Sequence, residues 1–206
     1  MDAVRSVRGG SRETQRERAV ETRAALVAAA RSIFTETGFH AARAIDIVKA
    51  ASLTRGALYH HFADKEALFE QVFREVAQEL NRRTALAVVP LRGDLWAQVR
   101  EAFRTYLELV ASTGEFQRIL LIDGPAVLGW QRWRAIQSDY VATGTAEALT
   151  KLMKEGLVAH RPAQPLANLI QATLNDVALS IAHPSDGFDG AESLDAFFFF
   201  LDRIRG

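Results

Sequence analysis

The side chains of this chain that are best suited to bind a nucleic acid lie together in one short segment. The guanidinium of Arg55 can donate to guanine O6 and N7 or to a phosphate, and the hydroxyls of Thr54 and Tyr59 can donate to phosphate oxygens. His60 adds a further donor. Gly56 has no side chain, so the backbone beside it can come close to a base edge or a thymine methyl group. These residue types at helical spacing predict a surface that reads double-stranded DNA.

Predicted helices must position that surface. Apolar residues recur with a helical period over Leu26–Phe34, and Gly38 follows at a place where a glycine commonly ends a helix. Two short helices are predicted over residues 44–51 and 54–61, with only two residues between them. A connection this tight indicates a helix-turn-helix, whose last short helix enters the major groove.

A longer helix follows the two short ones. Asp64 is placed to cap it, and its apolar residues repeat at intervals of three and four until Pro90. Lys65 lies in its first turn and adds a positive charge beside exposed backbone amides, where a phosphate can bind. We therefore expect this turn to contribute to the same DNA-binding surface.

The rest of the chain keeps a helical period, with a break predicted at Asp123-Gly124-Pro125. We therefore predict an all-α protein of about nine helices. A flexible basic arm is expected over residues 1–13, a three-helix helix-turn-helix domain over residues 14–66, and a helical body over residues 67–206.

Charge is divided unevenly along a chain whose formal net charge is zero. Residues 1–65 hold 11 Lys and Arg against 7 Asp and Glu, which leaves 14 against 18 for the remaining residues. This asymmetry is typical of a module that faces nucleic acid joined to a body that need not touch phosphate. No segment has the pattern of a signal peptide or a membrane helix, so a cytoplasmic location is expected.

No constellation of catalytic or cofactor-binding residues is visible in the sequence. Disulfides and thiolate metal sites are excluded because the chain has no cysteine. Neighbouring residues on a helix point about 100° apart, so His60 and His61 do not share a face and do not form a metal site. We expect no enzymatic activity, no bound metal and no cofactor.

The segment around the second short helix resembles the DNA-binding signature of the TetR-type (TetR/AcrR) bacterial transcriptional regulators. The resemblance covers about residues 20–73 and rests on the following runs, in order: Ala28-Ala29-Ala30 to Phe34, Gly38-Phe39, Ile47 with Ala50-Ala51, Thr54-Arg55-Gly56-Ala57-Leu58-Tyr59-His60-His61-Phe62, Asp64-Lys65-Glu66 and Leu68-Phe69. It implies a homodimeric bacterial repressor that binds a palindromic operator and releases it when a small molecule binds the helical body. The body is then a ligand-binding and dimerisation domain.

Three residues depart from the pattern of that family. Arg43 stands where a Thr or Ser usually begins the second helix, and it cannot cap that helix. Ser52 occupies a turn position that is usually glycine, where a left-handed backbone costs roughly 1 kcal/mol. Ile45 occupies a place where a polar residue is common. The alternative function is therefore a helical small-molecule-binding or protein-interaction dimer whose operator binding is weakened or lost.

Three sets of candidate site residues follow from these arguments. The DNA-binding set is Arg43, Thr54, Arg55, Gly56, Tyr59, His60 and Lys65. A pocket for a largely apolar effector is predicted to use Trp96, Phe103, Tyr106, Phe116, Trp130, Trp133 and Asn175, although aromatic residues at helical spacing also fit an ordinary core. The run of four phenylalanines near the C-terminus covers all sides of a helix, which predicts a dimer interface formed by Leu166, Ile170, Leu174, Val177, Ile181, Phe197, Phe198 and Leu201.

Overall fold

The computed structural model describes residues 3–91, 93–183 and 189–205. Within those ranges the chain forms nine α-helices and no strand, as the periodicity predicts. The helices are α1 (Ala3–Thr37), α2 (Ala44–Ala50), α3 (Arg55–His61), α4 (Lys65–Ala87), α5 (Leu95–Ser112), α6 (Gly124–Gln137), α7 (Thr143–Lys154), α8 (Ala163–Ala182) and α9 (Gly190–Arg203). None of them combines the length and the apolar character that crossing a membrane would require.

The chain divides into two compact units, Met1–Val72 and Phe73–Gly206, so the division falls inside α4. The N-terminal unit contains α1, α2 and α3 around a small aromatic core. The rings of Phe34, Phe39 and Phe69 lie 5.2–5.7 Å apart between centroids, in tilted and edge-to-face arrangements that aromatic pairs favour. Gly38 ends α1 with a φ of 78°, and its N–H donates to the carbonyl of Phe34 over 3.0 Å. The predicted C-terminal glycine is therefore confirmed.

Helix α1 extends further toward the N-terminus than the sequence predicts. Its backbone is helical from Ala3, so helix α1 includes most of the segment predicted as a flexible basic arm over residues 1–13, and the first two residues of that segment lie outside the described part. The segment contains no proline, and Gly9 and Gly10 each disfavour a helix by only about 1 kcal/mol. Its Ala, Arg and Glu residues, which favour a helix, offset that cost.

The C-terminal unit is organised around α8, which packs against α5, α7 and α9. Two π-helical segments, Phe116–Asp123 and Ser138–Ala142, run directly into the ends of α6, so the break predicted at Asp123-Gly124-Pro125 is wrong. Pro125 needs no backbone donor in the first turn of α6, where it lies. The helical path is interrupted instead at Gly129, with a φ of 72° and a ψ of 156°.

The predicted dimer interface is largely the core of a single chain. Five of its eight residues have exposed fractions of 5% or less within one protomer: Ile170, Leu174, Val177, Phe197 and Leu201. The sequence does not reveal that α8 packs against both α5 and α9, which cover much of its wide apolar face within the chain. The rings of Phe103 and Phe197, for example, lie 5.8 Å apart and join α5 to α9. The large apolar residues of α9 that stay exposed are Phe199 and Phe200.

Candidate DNA-binding surface and internal cavities

A tight turn of four residues, 51–54, joins α2 to α3. The N–H of Leu53 donates to the carbonyl of Val48 over 2.8 Å, and the N–H of Ser52 donates to the carbonyl of Lys49 over 3.1 Å. This hydrogen-bond pair closes a helix in the Schellman motif, which needs a left-handed residue after the C-cap. Ser52 supplies it with a φ of 56° and is the only non-glycine residue with positive φ in the described part of the chain. The predicted left-handed serine is confirmed.

Helix α3 is held by its cap and by two buried side chains. The hydroxyl of Thr54 accepts a hydrogen bond from the N–H of Ala57 over 3.2 Å, as expected of an N-cap. Leu58 and Phe62 are 1% and 5% exposed, so they fix the rotation of the helix. A helix fixed in this way presents its remaining side chains in one direction.

The outer face of α3 carries the predicted DNA-contacting residues. Arg55, Gly56, Tyr59 and His60 are all exposed. The guanidinium of Arg55 lies 5.6 Å from the ring centroid of Tyr59, which aligns the two side chains one helical turn apart. The structure therefore brings together four of the seven predicted residues on one face, and Thr54 lies at its edge.

Packing inside the folded chain does not require a glycine at position 56. A Cβ atom at this position would have only the Thr54 hydroxyl nearby, at 3.8 Å, so ordinary side chains fit without a clash. Glycine in a helix is disfavoured relative to alanine by about 0.5–1 kcal/mol. The residue type at this position is therefore not explained by the packing of the described residues.

Arg43 begins α2 without capping it, as predicted. Its guanidinium instead binds Asp46 through two bonds, Nε to Oδ2 at 2.7 Å and Nη2 to Oδ1 at 2.9 Å. That hydrogen bonding raises the pKa of Arg43 and lowers the pKa of Asp46. A phosphate at this point would compete with the Asp46 carboxylate for the guanidinium. Ile45 is 55% exposed, in agreement with its predicted place on the solvent side.

Lys65 lies in the first turn of α4, as predicted, and its side chain is also bonded inside the unit. Its ammonium donates to the carbonyls of Phe39 and Ala42, over 2.9 and 3.0 Å, and lies 4.1 Å from the ring centroid of Phe39. The side chain therefore fixes the loop between α1 and α2. Two of its three donors are used inside the unit, which leaves one for a phosphate, so its contact with DNA stays a prediction. The predicted capping residue Asp64 is confirmed, because its carboxylate accepts from the N–H of Ala67 over 2.7 Å.

The C-terminal unit contains a cavity of about 430 Å³ between α6 and α8, which we call the α6–α8 cavity. It is lined by Trp130, Trp133, Arg134, Gln137, Ser138, Pro165, Asn168, Leu169, Gln171, Ala172 and Asn175. The indoles of Trp130 and Trp133 lie 5.1 Å apart between centroids. The N–H of Trp133 donates to the carbonyl of Leu120 over 2.8 Å, which holds that indole in place. This volume lies within the usual range for small-molecule sites.

A second and smaller cavity of about 150 Å³ lies among α4, α5 and α7. Phe103 and Tyr106 line it, together with Thr84 and Thr145. Burial raises the pKa of Tyr106, so its phenol stays protonated and donates a hydrogen bond. This volume equals that of a cavity that binds one benzene molecule.

A buried polar cluster of Tyr106, Gln171 and Asn175 borders both cavities. The Tyr106 hydroxyl donates to Asn175 Oδ1 over 2.6 Å, and Gln171 Nε2 donates to the same oxygen over 2.8 Å and to the Tyr106 oxygen over 3.0 Å. Gln171 Oε1 receives no hydrogen bond from the described residues, although it is buried. The cluster therefore fixes the Gln171 amide nitrogen and leaves its oxygen free.

The predicted pocket residues separate into three groups. Trp130, Trp133 and Asn175 line the α6–α8 cavity, and Phe103 and Tyr106 line the smaller one. Trp96 and Phe116 are buried in the core and line neither of these two cavities. Each has an arginine over its ring, Arg205 for the indole and Arg83 for the phenyl group.

Two glutamines, Gln137 and Gln171, also line the α6–α8 cavity; the sequence suggests Gln137 as a possible polar contact, but the sequence reasoning missed Gln171. These residues are 8% and 6% exposed, and each has an Oε1 atom without a hydrogen-bond partner in the described part of the chain. A usable signal was present for Gln171, because it follows Ile170 and precedes Leu174 on the apolar side of α8. A glutamine on the buried side of a helix is uncommon and indicates a partner.

Comparison with known proteins agrees with this division of the chain. The family model described as bacterial regulatory proteins, tetR family, matches residues 26–72. The model of the C-terminal domain of tetracyclin-repressor-like proteins matches residues 96–203, which is more than half of the chain. The two matches fall on opposite sides of the division in α4.

Individual relatives cover both units. A crystal structure of a TetR-family transcriptional regulator from Pectobacterium atrosepticum is 36% identical, with a TM-score of 0.72, over 91% of this chain and 94% of that one. The Transposon Tn10 TetC protein of Escherichia coli is 24% identical over 80% of this chain and 82% of its own length. The HTH-type transcriptional regulator UidR of Escherichia coli K12 is 40% identical over 72 residues, which is 35% of each chain.

Proposed function

The chain belongs to the TetR family of bacterial transcriptional regulators, and we propose that it is a repressor that binds a palindromic operator as a homodimer. In this proposal a small-molecule effector binds the C-terminal unit and lowers the affinity for DNA. The family consists of transcription regulators and not of enzymes, so the function lies in binding alone. The protein would act on the chromosome in the bacterial cytoplasm.

The proposal of DNA binding rests on the outer face of α3. Arg55 and Tyr59 are exposed there while Leu58 holds the helix from within, and Gly56 leaves room for a close approach that the fold itself does not need. The guanidinium can bind guanine O6 and N7, and the phenol can donate to a phosphate. In a dimer, two such helices would enter successive major grooves about 34–36 Å apart.

Dimerisation is assigned to the exposed side of α9, in place of the buried residues predicted from the sequence. Phe199 and Phe200 are 60% and 43% exposed, and exposed apolar residues of this size commonly lie in interfaces. Replacing both by serine should shift the protein from dimer to monomer in sedimentation velocity experiments. Leu86→Ser is the matched control, because Leu86 is 57% exposed on α4. An unchanged dimer in the double variant would exclude this side of α9.

Selection of bound duplexes from a random pool tests operator binding. We expect a sequence with two-fold symmetry, bound with strong salt dependence because phosphate contacts release counterions. Arg55→Ala should weaken its binding roughly 10- to 100-fold, and Tyr59→Phe should weaken it less. Arg161→Ala, which removes an exposed arginine of the C-terminal unit, is the control for lost charge. Recovery of no symmetric sequence would contradict the proposal.

The pairing of Arg43 with Asp46 favours a second candidate function, a ligand-binding or protein-interaction dimer with little affinity for DNA. In that case the Asp46 carboxylate neutralises the Arg43 guanidinium at the start of α2, which weakens its attraction to phosphate, and the left-handed Ser52 strains the turn before α3. The double substitution Arg43→Thr with Ser52→Gly restores the residues usual in the family. A gain of DNA binding from none would support the second candidate, and tight binding by the unaltered protein would exclude it.

A further inference from the structure

The exposed side of α9 has a charge pattern that suits pairing with a second copy of itself. We propose that two α9 helices pair antiparallel about Phe199, with Asp195 of each protomer bound to Arg203 of the partner subunit. This inference rests on the proposed homodimer and goes beyond it, because it names the residues that set the direction and the partner of the pairing. It is argued from the packing, charge and exposure of α9.

Packing within the chain fixes which side of α9 faces outward. Phe197 and Leu201 are 2% and 0% exposed, so the side of the helix that carries them is buried. Asp195, Phe199 and Arg203 are exposed and follow one another at intervals of four. Residues at this interval lie about 6 Å apart along one side of a helix. We call these three residues the α9 stripe.

The α9 stripe is acidic at one end, aromatic in the middle and basic at the other end. Asp195 and Arg203 have no ion-pair partner among the described residues, whereas Asp202, beside Arg203, is paired with Arg100. The guanidinium of Arg203 lies 5.0 Å from the ring centroid of Phe199, which keeps it along the stripe. Two unlike charges therefore stay exposed at equal distances along the helix from one exposed ring.

An antiparallel arrangement of two copies brings these unlike charges together. Contacts across a two-fold axis are reciprocal, so each contact occurs twice. If the axis passes beside Phe199, position 195 of each helix faces position 203 of the other, which gives two ion pairs on either side of the paired rings. A parallel arrangement in register would place like charges opposite each other. Charges beside an apolar contact set partner and direction in paired helices.

The helix macrodipole gives a different reason for part of the pattern. It favours an acidic residue near the start of a helix and a basic residue near its end. That effect falls off within the first and last turn, and Asp195 lies in the second turn of α9. The macrodipole also acts within one helix, so it does not depend on the charges of a second chain. Mixtures of variants therefore separate the two explanations.

Charge-reversal variants of the full chain test the pairing. Asp195→Arg and Arg203→Asp each turn two attractive contacts of the dimer into two repulsive ones. Each should raise the dimer dissociation constant roughly 100-fold in sedimentation equilibrium. An equimolar mixture of the two variants restores both attractions and should form a heterodimer, whose composition native mass spectrometry identifies. The double variant should dimerise with itself.

Matched controls reverse charges outside α9. Glu155→Arg and Arg161→Asp make the same two charge changes at exposed positions of the C-terminal unit, and they should leave the dissociation constant unchanged. If a reversal variant does not fold, Asp195→Asn and Arg203→Gln take its place. Each should weaken the dimer several-fold, and the two together should weaken it less than the product of the separate effects, as interacting residues do.

The outcomes separate the pairing from the homodimer. A heterodimer from two variants that do not self-associate supports the pairing. Equal self-association of all variants, no heterodimer from folded variants, or independent effects of the neutral substitutions overturns the pairing and leaves the homodimer in place. A monomeric unaltered protein overturns both and assigns the α9 stripe to another partner. No DNA is present in these measurements, so failed pairing is also distinguishable from failed operator binding.

Discussion

Gly56 and Gly124 differ in how much space their neighbours leave for a side chain. At Gly56 on α3, a Cβ atom would have only the Thr54 hydroxyl within reach, at 3.8 Å. At Gly124, where the first π-helical segment meets α6, a Cβ atom would lie 2.7 Å from the Phe73 ring, 2.9 Å from the Ile119 carbonyl oxygen and 3.0 Å from the Trp133 ring. The first glycine leaves space outside the chain, and the second is required by packing inside it.

These two glycines represent two kinds of position: one where the residue type suits contact with another molecule, and one where packing inside the chain requires it. In the N-terminal unit, the residues proposed to contact DNA on α3 are exposed and lie outside the aromatic core. In the C-terminal unit, the same helices that form the core also form the cavities, so a change near a cavity also changes the packing. Trp133 illustrates this overlap, because it contacts the Gly124 position and lines the α6–α8 cavity.

The largest expected effect is on folding at Gly124. Gly124→Ala places a methyl group against the Ile119 carbonyl oxygen, which cannot move aside as a side chain can, and should lower the free energy of unfolding by about 1–3 kcal/mol. Thermal or urea unfolding of the variant and of the unaltered protein measures this change in the free energy of unfolding. Gly144→Ala is the control, because a methyl group added there in α7 would meet no atom of the described residues within 4 Å, and stability should stay unchanged or rise slightly. Equal stability of the two variants would remove the distinction between the two glycines.

Gly56→Ala should give effects of opposite sign on folding and on DNA binding. The added methyl group favours the helix, so the free energy of unfolding should rise by about 0.5–1 kcal/mol. The same methyl group occupies the space left for the duplex and should weaken operator binding about tenfold, as loss of one specific contact does. Unfolding and duplex-binding measurements on the same preparation check both. Unaltered DNA affinity in the stabilised variant would show that the open space at Gly56 is not used by DNA.

A smaller effect is expected in the turn before α3. Ser52→Gly removes the strain of a left-handed backbone at a non-glycine residue, which stabilises the folded state. Glycine also raises the conformational entropy of the unfolded chain, which offsets part of that gain. The free energy of unfolding should therefore rise by about 0.5–1 kcal/mol. Ala51→Gly is the neighbouring control, because Ala51 has a right-handed φ of −77° and should lose stability when replaced. Chemical unfolding of both variants should therefore give opposite signs. A loss of stability in Ser52→Gly would mean that the serine side chain stabilises the turn.

The smallest expected effect concerns the ion pair at the start of α2. Asp46→Asn removes the carboxylate that binds Arg43, so the guanidinium becomes available to a phosphate and operator affinity should rise several-fold. The slope of log affinity against log salt concentration should steepen by about 0.9, as for one added phosphate contact. Asp139→Asn makes the same charge change at an exposed place in the C-terminal unit and controls for net charge. An identical rise in both variants would assign the effect to net charge alone.

Much of the N-terminal unit could be predicted because its signals are local. Gly38 ends α1, Thr54 and Asp64 cap the helices that follow them, and Ser52 adopts a left-handed φ, all as the sequence indicates. Each of these features depends on hydrogen bonds between residues at most five positions apart. Lys65 is the exception, since its acceptors Phe39 and Ala42 lie 26 and 23 positions earlier in the chain.

The sequence by itself determined that the chain is all-helical, where most helices begin and end, and which short helix presents Arg55, Gly56 and Tyr59. Only the tertiary structure decided that Phe197 lies inside one chain while Phe199 stays outside, and that Gln171 has an unpaired oxygen beside a cavity. The physical reason is the range of the interactions. Backbone caps and turns are set by neighbours along the chain, whereas burial and the pairing of polar atoms are set by helices that meet from distant parts of it.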